Sequence, residues 1–349
     1  MKLLHDRFTI HPKIPFAIAR SSTSAYERVR VRLVDDAGVE GWGEAAPNVF
    51  YHETADTVVA ALPRIAAMVE RRKTLTSLAE IDSLEEQMRT HHRGDASARA
   101  AVSAAAHDVL GKKQGEPVWK MFGLDPMTAP PSSFTIVIST DVSELLRRVD
   151  EARQYPILKV KLGSDRDEWI VNTIRRAAPK KLLRADANAA WDLERATRMA
   201  ALLADNGFEL LEQPLGKDDL EGFRKLRDRS PIPIIADESC MTSSDIPRLD
   251  GAAHGINIKL SKCGGLAEAR RMVHEARRRE MKVMLGCMIE SSLGITAAAH
   301  LVPLVDYADL DGAALLSDDP YRGASIEDGL IRLPSEPGLG VKLRGDRAS

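Results

Sequence analysis

From residue 134 to residue 311, short apolar runs alternate with longer stretches in which apolar positions recur every three to four residues. The runs 134–138, 157–162, 182–187, 209–213, 232–236, 256–260, 283–288 and 307–311 read as strands. The stretches between them, 141–154, 165–177, 192–205, 218–228, 244–249, 266–280 and 292–304, read as helices, several opening on an Asp or Ser that suits an N-cap. Strand and helix in strict alternation argue for a parallel sheet. Eight such strands close a barrel better than they make an open sheet.

The pattern before residue 134 is different. Residues 26–34 alternate apolar and polar, 35–38 supply turn residues, and 39–44 resume as a strand, which is a hairpin signature. Residues 54–71 form an amphipathic helix, and 95–113 an Ala-rich one with Asp95 as N-cap. Gly115 and Pro117 break the pattern, and 127–133, with two prolines, reads as a linker. After Ala313 no further strand–helix unit follows, and the Gly- and Pro-rich tail 321–343 is expected to return to the first section. The expected class is therefore α/β: a modified TIM-type (β/α) barrel over 127–319. An α+β capping domain is built from 1–126 with 320–349 returning to it. A chain of 349 residues is long for one core, in keeping with two units.

Composition narrows the partners. Lys and Arg number 49 against 51 Asp and Glu, with no long basic run and only 5% aromatic residues, so nucleic acid is not an expected partner. Cys240, Cys263 and Cys287 show no CxxC spacing and read as reduced thiols. Residues 1–6 lack a signal-peptide apolar stretch and no apolar run has membrane-spanning length, so a cytoplasmic protein without a membrane partner is expected.

Chemistry enters at the ends of the apolar runs. Thr135, Lys161, Asp186, Glu212, Asp237, Lys259 and the pair Asp309/Asp311 recur at intervals of about 25 residues, or twice that, the length of one strand, one helix and two loops. Polar groups at the C-terminal ends of parallel strands are where a barrel builds its active site. Asp186, Glu212 and Asp237 fall on three successive strand ends, where carboxylates repel unless a cation lies between them. All-oxygen ligation suits Mg²⁺, and the absence of HxH, HExxH and CxxC disfavours zinc. Lys159 and Lys161, two apart, share one face of strand two, and Lys259 lies across the barrel on strand six. Beside a cation a lysine should fall from ~10.4, and a drop of ~3 units, ~4 kcal/mol of work, makes it a base near neutral pH. Lys262 reads as a loop charge, and the scattered histidines carry no assigned role.

The motifs KVK (159–161), RADAN (184–188), LEQP (211–214), ADES (236–239) and NIKLSKCGG (257–265) together resemble the enolase superfamily. Two lysines without a His–Asp pair are similar to its muconate-lactonizing-enzyme-like subgroup, and GWGEAAP (41–47) with the Ala-rich helix resembles its capping domain. A lysine base beside Mg²⁺ is the known pairing at sites of that superfamily, and the resemblance carries it here. Asp309 and Asp311, as a DxD pair, and LGCMIESS (285–292) resemble the dipeptide epimerases, in which the pair holds the substrate's α-ammonium. The resemblance implies one Mg²⁺ per subunit on Asp186, Glu212 and Asp237. It implies a 1,1-proton transfer at the C-terminal residue of a dipeptide, with Lys161 and Lys259 as the two bases and Lys159 stabilising the enediolate. Asn188 and Glu238 are expected to support the ligands or the lysines.

Substrate choice is read from fewer residues. Arg20 matches the position where Ala-Glu epimerases hold the distal carboxylate, which makes L-Ala-D/L-Glu, a murein-recycling substrate, the leading expectation; a solvated Arg20 is the alternative. Met288, Ile289 and Glu290 are expected to shape the pocket, Glu290 suiting a cationic side chain, and Thr135 is a substrate contact or a plain strand residue. Epimerases of hydrophobic or cationic dipeptides remain open. So do a cycloisomerase, an o-succinylbenzoate synthase and an N-acylamino-acid racemase on the same fold, although their substrates carry no ammonium for the DxD pair. Barrels of this family often associate, and a homo-oligomer stays open.

Overall fold

The computed structural model describes residues 1–91 and 94–345. Eight parallel strands pair in chain order: Phe134–Ile136, Ile157–Lys161, Leu182–Asp186, Phe208–Glu212, Ile234–Ala236, Gly255–Ile258, Lys282–Gly286 and Tyr307–Asp309. A parallel bridge between Ser132 and Ala308, with the Ser133 amide donating to the Ala308 carbonyl at 3.2 Å, joins the eighth strand to the entry of the first and closes the ring. The stretch expected to be only a linker thus supplies the closure, and its two serines carry no apolar alternation that could have shown it. Helices Val142–Glu151, Asp167–Ala177, Leu193–Asp205, Leu220–Arg229 and Leu266–Arg277 lie outside. Asp141, Asp192 and Asp219 cap three of them, each carboxylate accepting a backbone N–H at 2.8 Å.

Side-chain alternation decides what faces inward. Leu210, Ile235, Met284 and Tyr307 stand two positions before Glu212, Asp237, Gly286 and Asp309, so they share the same interior. The first three are fully buried and pack with Tyr307 as a small cluster of their own. That apolar layer plugs the barrel beneath a polar one, and the site above is a cup rather than a pore.

Three expected elements end early. Strand six stops at Ile258, and Leu260–Cys263 turns into a single helical turn that runs into Gly264 at φ 93°. Strand eight stops at Asp309, so Asp311 begins the 3₁₀ turn Gly312–Leu315 instead of sharing a strand with Asp309. The last barrel helix is Ser292–Ala299, followed by the separate 3₁₀ turn Val302–Leu304, because Pro303 has no N–H to continue the helix.

The N-terminal section is a three-stranded antiparallel sheet, Lys2–Ile10, Tyr26–Val34 and Glu40–Ala45, packed on helices Ala55–Val69, Leu78–His91 and Ala96–Gln114. The third helix is buried on nearly every side between sheet and barrel. Its alanines allow this, together with Gly41 and Gly43, where an added Cβ would lie 2.2 Å from the Ala105 carbonyl and 1.9 Å from that of Ala101. Lys2–Ile10 and Leu78–His91 escaped the sequence reading because charged residues fill their outer faces. The tail touches this section: the Val118 amide donates to the Gly338 carbonyl at 3.0 Å and the Leu339 amide to Asp108 at 2.8 Å.

Asp95 stands before the Ala-rich helix but does not cap it. Its backbone is left-handed, φ 52°, and its side chain makes no cap bond. Glu53 takes that role, accepting the Ser97 amide at 3.2 Å from a buried position. Glu53→Ala should therefore cost about 1 kcal/mol or more in urea unfolding, within the range for a lost cap. Asp95→Gly should be neutral or stabilising, since glycine adopts positive φ freely. A larger loss from Asp95→Gly than from Glu53→Ala would contradict this assignment.

Candidate active site

A cavity of about 560 Å³ opens at the C-terminal ends of the strands, between them and the N-terminal section. Thr135, Lys159, Lys161, Asn188, Asp237, Glu238, Lys259, Met288, Asp309 and Asp311 line it, and Arg20 reaches it from above. Asp186 and Glu212 lie at its base with no exposed surface. A larger depression of about 920 Å³ runs along the outer helices Asp167–Ala177 and Leu193–Asp205, where no strand-end residue reaches it.

Strand register sets the layers. Thr135 is paired with Lys159, Lys161 with Asp186, and Asp186 with Glu212, which places ammonium and carboxylate groups side by side at one height. Lys159 Nζ lies 2.7 Å from Asp309, 2.7 Å from Glu212 and 3.1 Å from Asp186. Lys161 pairs with Asp186 at 2.6 Å and Lys259 with Asp237 at 2.7 Å. Strands two and six, which carry these last two lysines, stand opposite each other in the eight-strand order.

Lys262 is not a loop charge. Its side chain has no exposed surface, and Nζ lies 2.5 Å from Asp237 Oδ1 while also donating to the carbonyls of Cys240 at 3.0 Å and Asn257 at 2.9 Å. The helical turn Leu260–Cys263 folds it under the site, which a reading of strand six as running on to residue 260 could not show. Asp237 is thereby held at both oxygens, Oδ1 by Lys262 and Oδ2 by Lys259.

The electrostatics follow from these pairs. Burial alone would raise Asp186 and Asp237, but Lys161 and Lys159 on one, and Lys259 and Lys262 on the other, hold both below the usual carboxylate range. Glu212 is pushed up to about 7 by burial and then by Asp186. Asp311 is also pushed up to about 7, by burial and then by Asp309. Burial would lower Lys159 and Lys259; instead the carboxylates facing them, Asp309 and Glu212 for the first, Asp237 and Glu212 for the second, hold both above their ordinary value. The expected fall of a lysine is thus reversed where carboxylates meet it directly, and requires a cation that engages those same oxygens.

The DxD pair stays together although only Asp309 is on a strand. Asp309 accepts from Lys159 at 2.7 Å and from the Ser133 hydroxyl at 2.6 Å, and Asp311 accepts the Thr135 amide at 2.6 Å. Thr135 therefore holds Asp311 through its backbone, besides lining the cavity. Asn188, at φ 45°, donates its amide to Asp186 at 2.9 Å and its side chain to Glu238 at 3.4 Å. Gln213 and Asn257 escaped assignment, although both lie in the quoted motifs. The first accepts the Asp237 amide at 2.9 Å, and the second donates to Glu212 at 2.8 Å.

Arg20 stands at the two-residue tip of a hairpin, Phe16–Ile18 with Ser21–Thr23, rather than in an open loop. It is not solvated alone: its guanidinium lies 4.1 Å from the Phe50 ring, pairs with Glu238 at 2.9 Å and donates to the Asn188 carbonyl. Met288 faces the cavity, with Asn48 Nδ2 3.7 Å from its sulfur. Glu290 does not face the cavity. It is buried behind it, accepting from the Met288 amide at 2.9 Å and the Ser261 hydroxyl at 3.4 Å, and so is not placed to meet a cationic side chain.

The donor set fits a hard cation. Buried oxygens without a hydrogen-bond donor gather at the base of the cavity: Glu212 Oε2, Asn188 Oδ1, Asn257 Oδ1 and Glu238 Oε2. Glu212 Oε2 is within ion-pair distance of Lys159 but lacks the angle of a hydrogen bond. Among the described residues no three His, Cys, Asp or Glu groups already converge on one point. The direct pairing of each carboxylate to a lysine keeps the oxygens spread. Oxygen-only ligands, starved of donors and mutually raising their protonation, are the donor set of Mg²⁺ rather than of a softer metal.

Comparison with known proteins agrees with this geometry. Residues 2–123 match the N-terminal domain of the mandelate racemase / muconate lactonizing enzyme family, and residues 141–347 match the enolase C-terminal domain-like family. An L-Ala-D/L-amino acid epimerase from Maribacter sp. is 37% identical, over 98% of this chain and 99% of that protein. The substrate-liganded L-Ala-D/L-Glu epimerase from Bacillus subtilis superposes with a TM-score of 0.90 at 30% identity, covering 98% of this chain and 99% of that one. A dipeptide epimerase from Cytophaga hutchinsonii, complexed with Mg and D-Ala-L-Val, gives a TM-score of 0.90 at 29% identity, over 99% and 97% of the two chains. Among the described residues no helix is long and apolar enough to cross a membrane.

Proposed function

The chain belongs to the mandelate racemase / muconate lactonizing enzyme family of the enolase superfamily, and from that premise we propose that it is a dipeptide epimerase, inverting the Cα of the C-terminal residue by 1,1-proton transfer. The observation that carries the reading is the buried pair Asp309 and Asp311, beside two lysines on opposite strands. Paired carboxylates at one end of the cavity bind the dipeptide's free ammonium. The α-carbon then lies between Lys161 and Lys259. One lysine removes the proton, the other returns one to the opposite face, and the centre inverts. The Lys159 ammonium, at the cavity floor, faces the negative charge that develops on the substrate carboxylate.

Asp186, Glu212 and Asp237 would hold one Mg²⁺, with Asn188, Gln213, Asn257 and Lys262 fixing their orientation. When bound, the ion supplies positive charge beside the substrate carboxylate and makes the α-proton easier to remove. Ligation is measurable without turnover. Mg²⁺ at a hundred times its dissociation constant should stabilise the wild type by about 2.7 kcal/mol, and Glu212→Gln should lose most of that. An equal Mg²⁺ stabilisation in Glu212→Gln would remove Glu212 from the ligand set.

The leading substrate is L-Ala-D/L-Glu, which places the reaction in murein peptide recycling. Arg20 supports it as the cation at the mouth, one-third exposed. A second reading, an apolar C-terminal residue, is favoured by the pairing of Arg20 to Glu238 and by the walls Phe16, Ile18, Phe50, Met288 and Ile289. Chromatography of the diastereomers formed from Ala-Glu, Ala-Leu and Ala-Phe with Mg²⁺ decides between them. N-acetylated forms of the same dipeptides should be inert; their ready epimerisation would sink the ammonium assignment and revive the N-acylamino-acid racemase reading.

A further inference from the structure

The segment 287–291, between strand seven and helix Ser292–Ala299, has no regular backbone pairing, yet Cys287, Met288 and Ile289 form one wall of the cavity. Its backbone polar groups are satisfied by side chains, and two of these come from the N-terminal sheet. Arg28, on strand Tyr26–Val34, donates both Nε, at 2.9 Å, and Nη2 to the Ile289 carbonyl. Its Nη1 donates to the Glu27 carbonyl at 2.8 Å, and the guanidinium lies 4.9 Å from the Tyr26 ring. Glu44, on strand Glu40–Ala45, accepts the Ser291 amide at 3.1 Å, the Ser291 hydroxyl and the Gly294 amide at 3.4 Å.

Both residues are almost fully buried, Arg28 3% and Glu44 4% exposed, and Arg28 Nε is 3.9 Å from Glu44. Glu290 completes the cluster on the barrel side, holding the Met288 amide. A buried arginine between two buried acids is costly to assemble unless it holds something in place. What it holds is the backbone of the residues that face the cavity.

We propose that Arg28 and Glu44 are positioning residues for substrate selectivity: acting through the Ile289 carbonyl and the Ser291 amide, they set where Met288 and Ile289 stand, and so how bulky a C-terminal side chain the cavity accepts. The proposal rests on the dipeptide epimerase reading for its substrates, but not for its structural claim. Arg28→Lys is the sharpest variant, because an ammonium keeps the charge and cannot reproduce the two-donor fork on one carbonyl.

Amide hydrogen exchange without substrate tests the structural claim. Exchange across 287–291 should accelerate at least about tenfold in Arg28→Lys, with the segments around Lys161 and Lys259 unchanged. With dipeptides, KM for Ala-Phe should rise at least about tenfold, while KM for Ala-Ala and both kcat values shift less than about threefold. Unchanged exchange at 287–291, or an equal loss on both dipeptides carried by kcat, overturns the proposal. If Arg28→Lys does not fold, Arg28→Met combined with Glu44→Gln removes both charges and is read in the same way; failure of both to fold overturns a role in selectivity. If the wild type epimerises no dipeptide, the epimerase reading fails, and the exchange measurement alone decides the positioning claim.

Discussion

Lys161→Ala and Lys259→Ala should each abolish net epimerisation, by at least about 10³-fold, within the range for loss of a positioned acid or base. Each variant should nevertheless keep half of the chemistry. With one base gone, the other still reaches the α-proton of the one diastereomer that presents it. In D₂O, one variant should exchange the C-terminal Cα–H of only the L,L-dipeptide and the other of only the L,D-dipeptide. The reason lies in the topology: the two lysines leave opposite strands of a closed eight-strand ring, each held by a different carboxylate, Asp186 or Asp237. Lys159→Ala should lose both halves, since it touches the charge and neither proton. Exchange of both diastereomers by Lys161→Ala would show that one base serves both faces.

Lys262→Met should have the largest effect on stability. Removing one partner of a buried ion pair typically costs about 3–5 kcal/mol, because the remaining charge is left without compensation. Lys262 has no exposed surface and satisfies Asp237 Oδ1 together with three backbone carbonyls. Asp237 keeps Lys259 on its other oxygen, so the loss should fall toward the lower end of that range. Urea unfolding measures it. A change below about 0.5 kcal/mol, as for an ordinary surface substitution, would restore Lys262 to the status of a loop charge.

Barrel and site were legible for one reason. Side chains of parallel strands alternate, so a polar residue closing each apolar run had to face either a common centre or the helices, and seven did so at one spacing. The lysines and carboxylates could therefore be placed without knowing any contact. What the sequence did not show depends on backbone direction rather than on alternation. Ser132 and Ser133 close the ring by a bridge that no pattern marks, and Lys262 is buried because the chain turns helical at Leu260. Glu53 caps the Ala-rich helix in place of Asp95, reaching Ser97 across 44 positions of the chain with no local signal. Glu290 looked like a pocket residue by position and is turned away by its bond to the Met288 amide.

The central claim is proton transfer at the C-terminal α-carbon of a dipeptide. Proton NMR of Ala-Glu, Ala-Leu and Ala-Phe, incubated with the protein and Mg²⁺ in D₂O, tests it most directly. The predicted result, for at least one of them, is loss of the C-terminal Cα–H signal with appearance of the second diastereomer, while the N-terminal Cα–H persists. Full retention of every Cα–H across these and a wider dipeptide library, or exchange at the N-terminal residue instead, would contradict it.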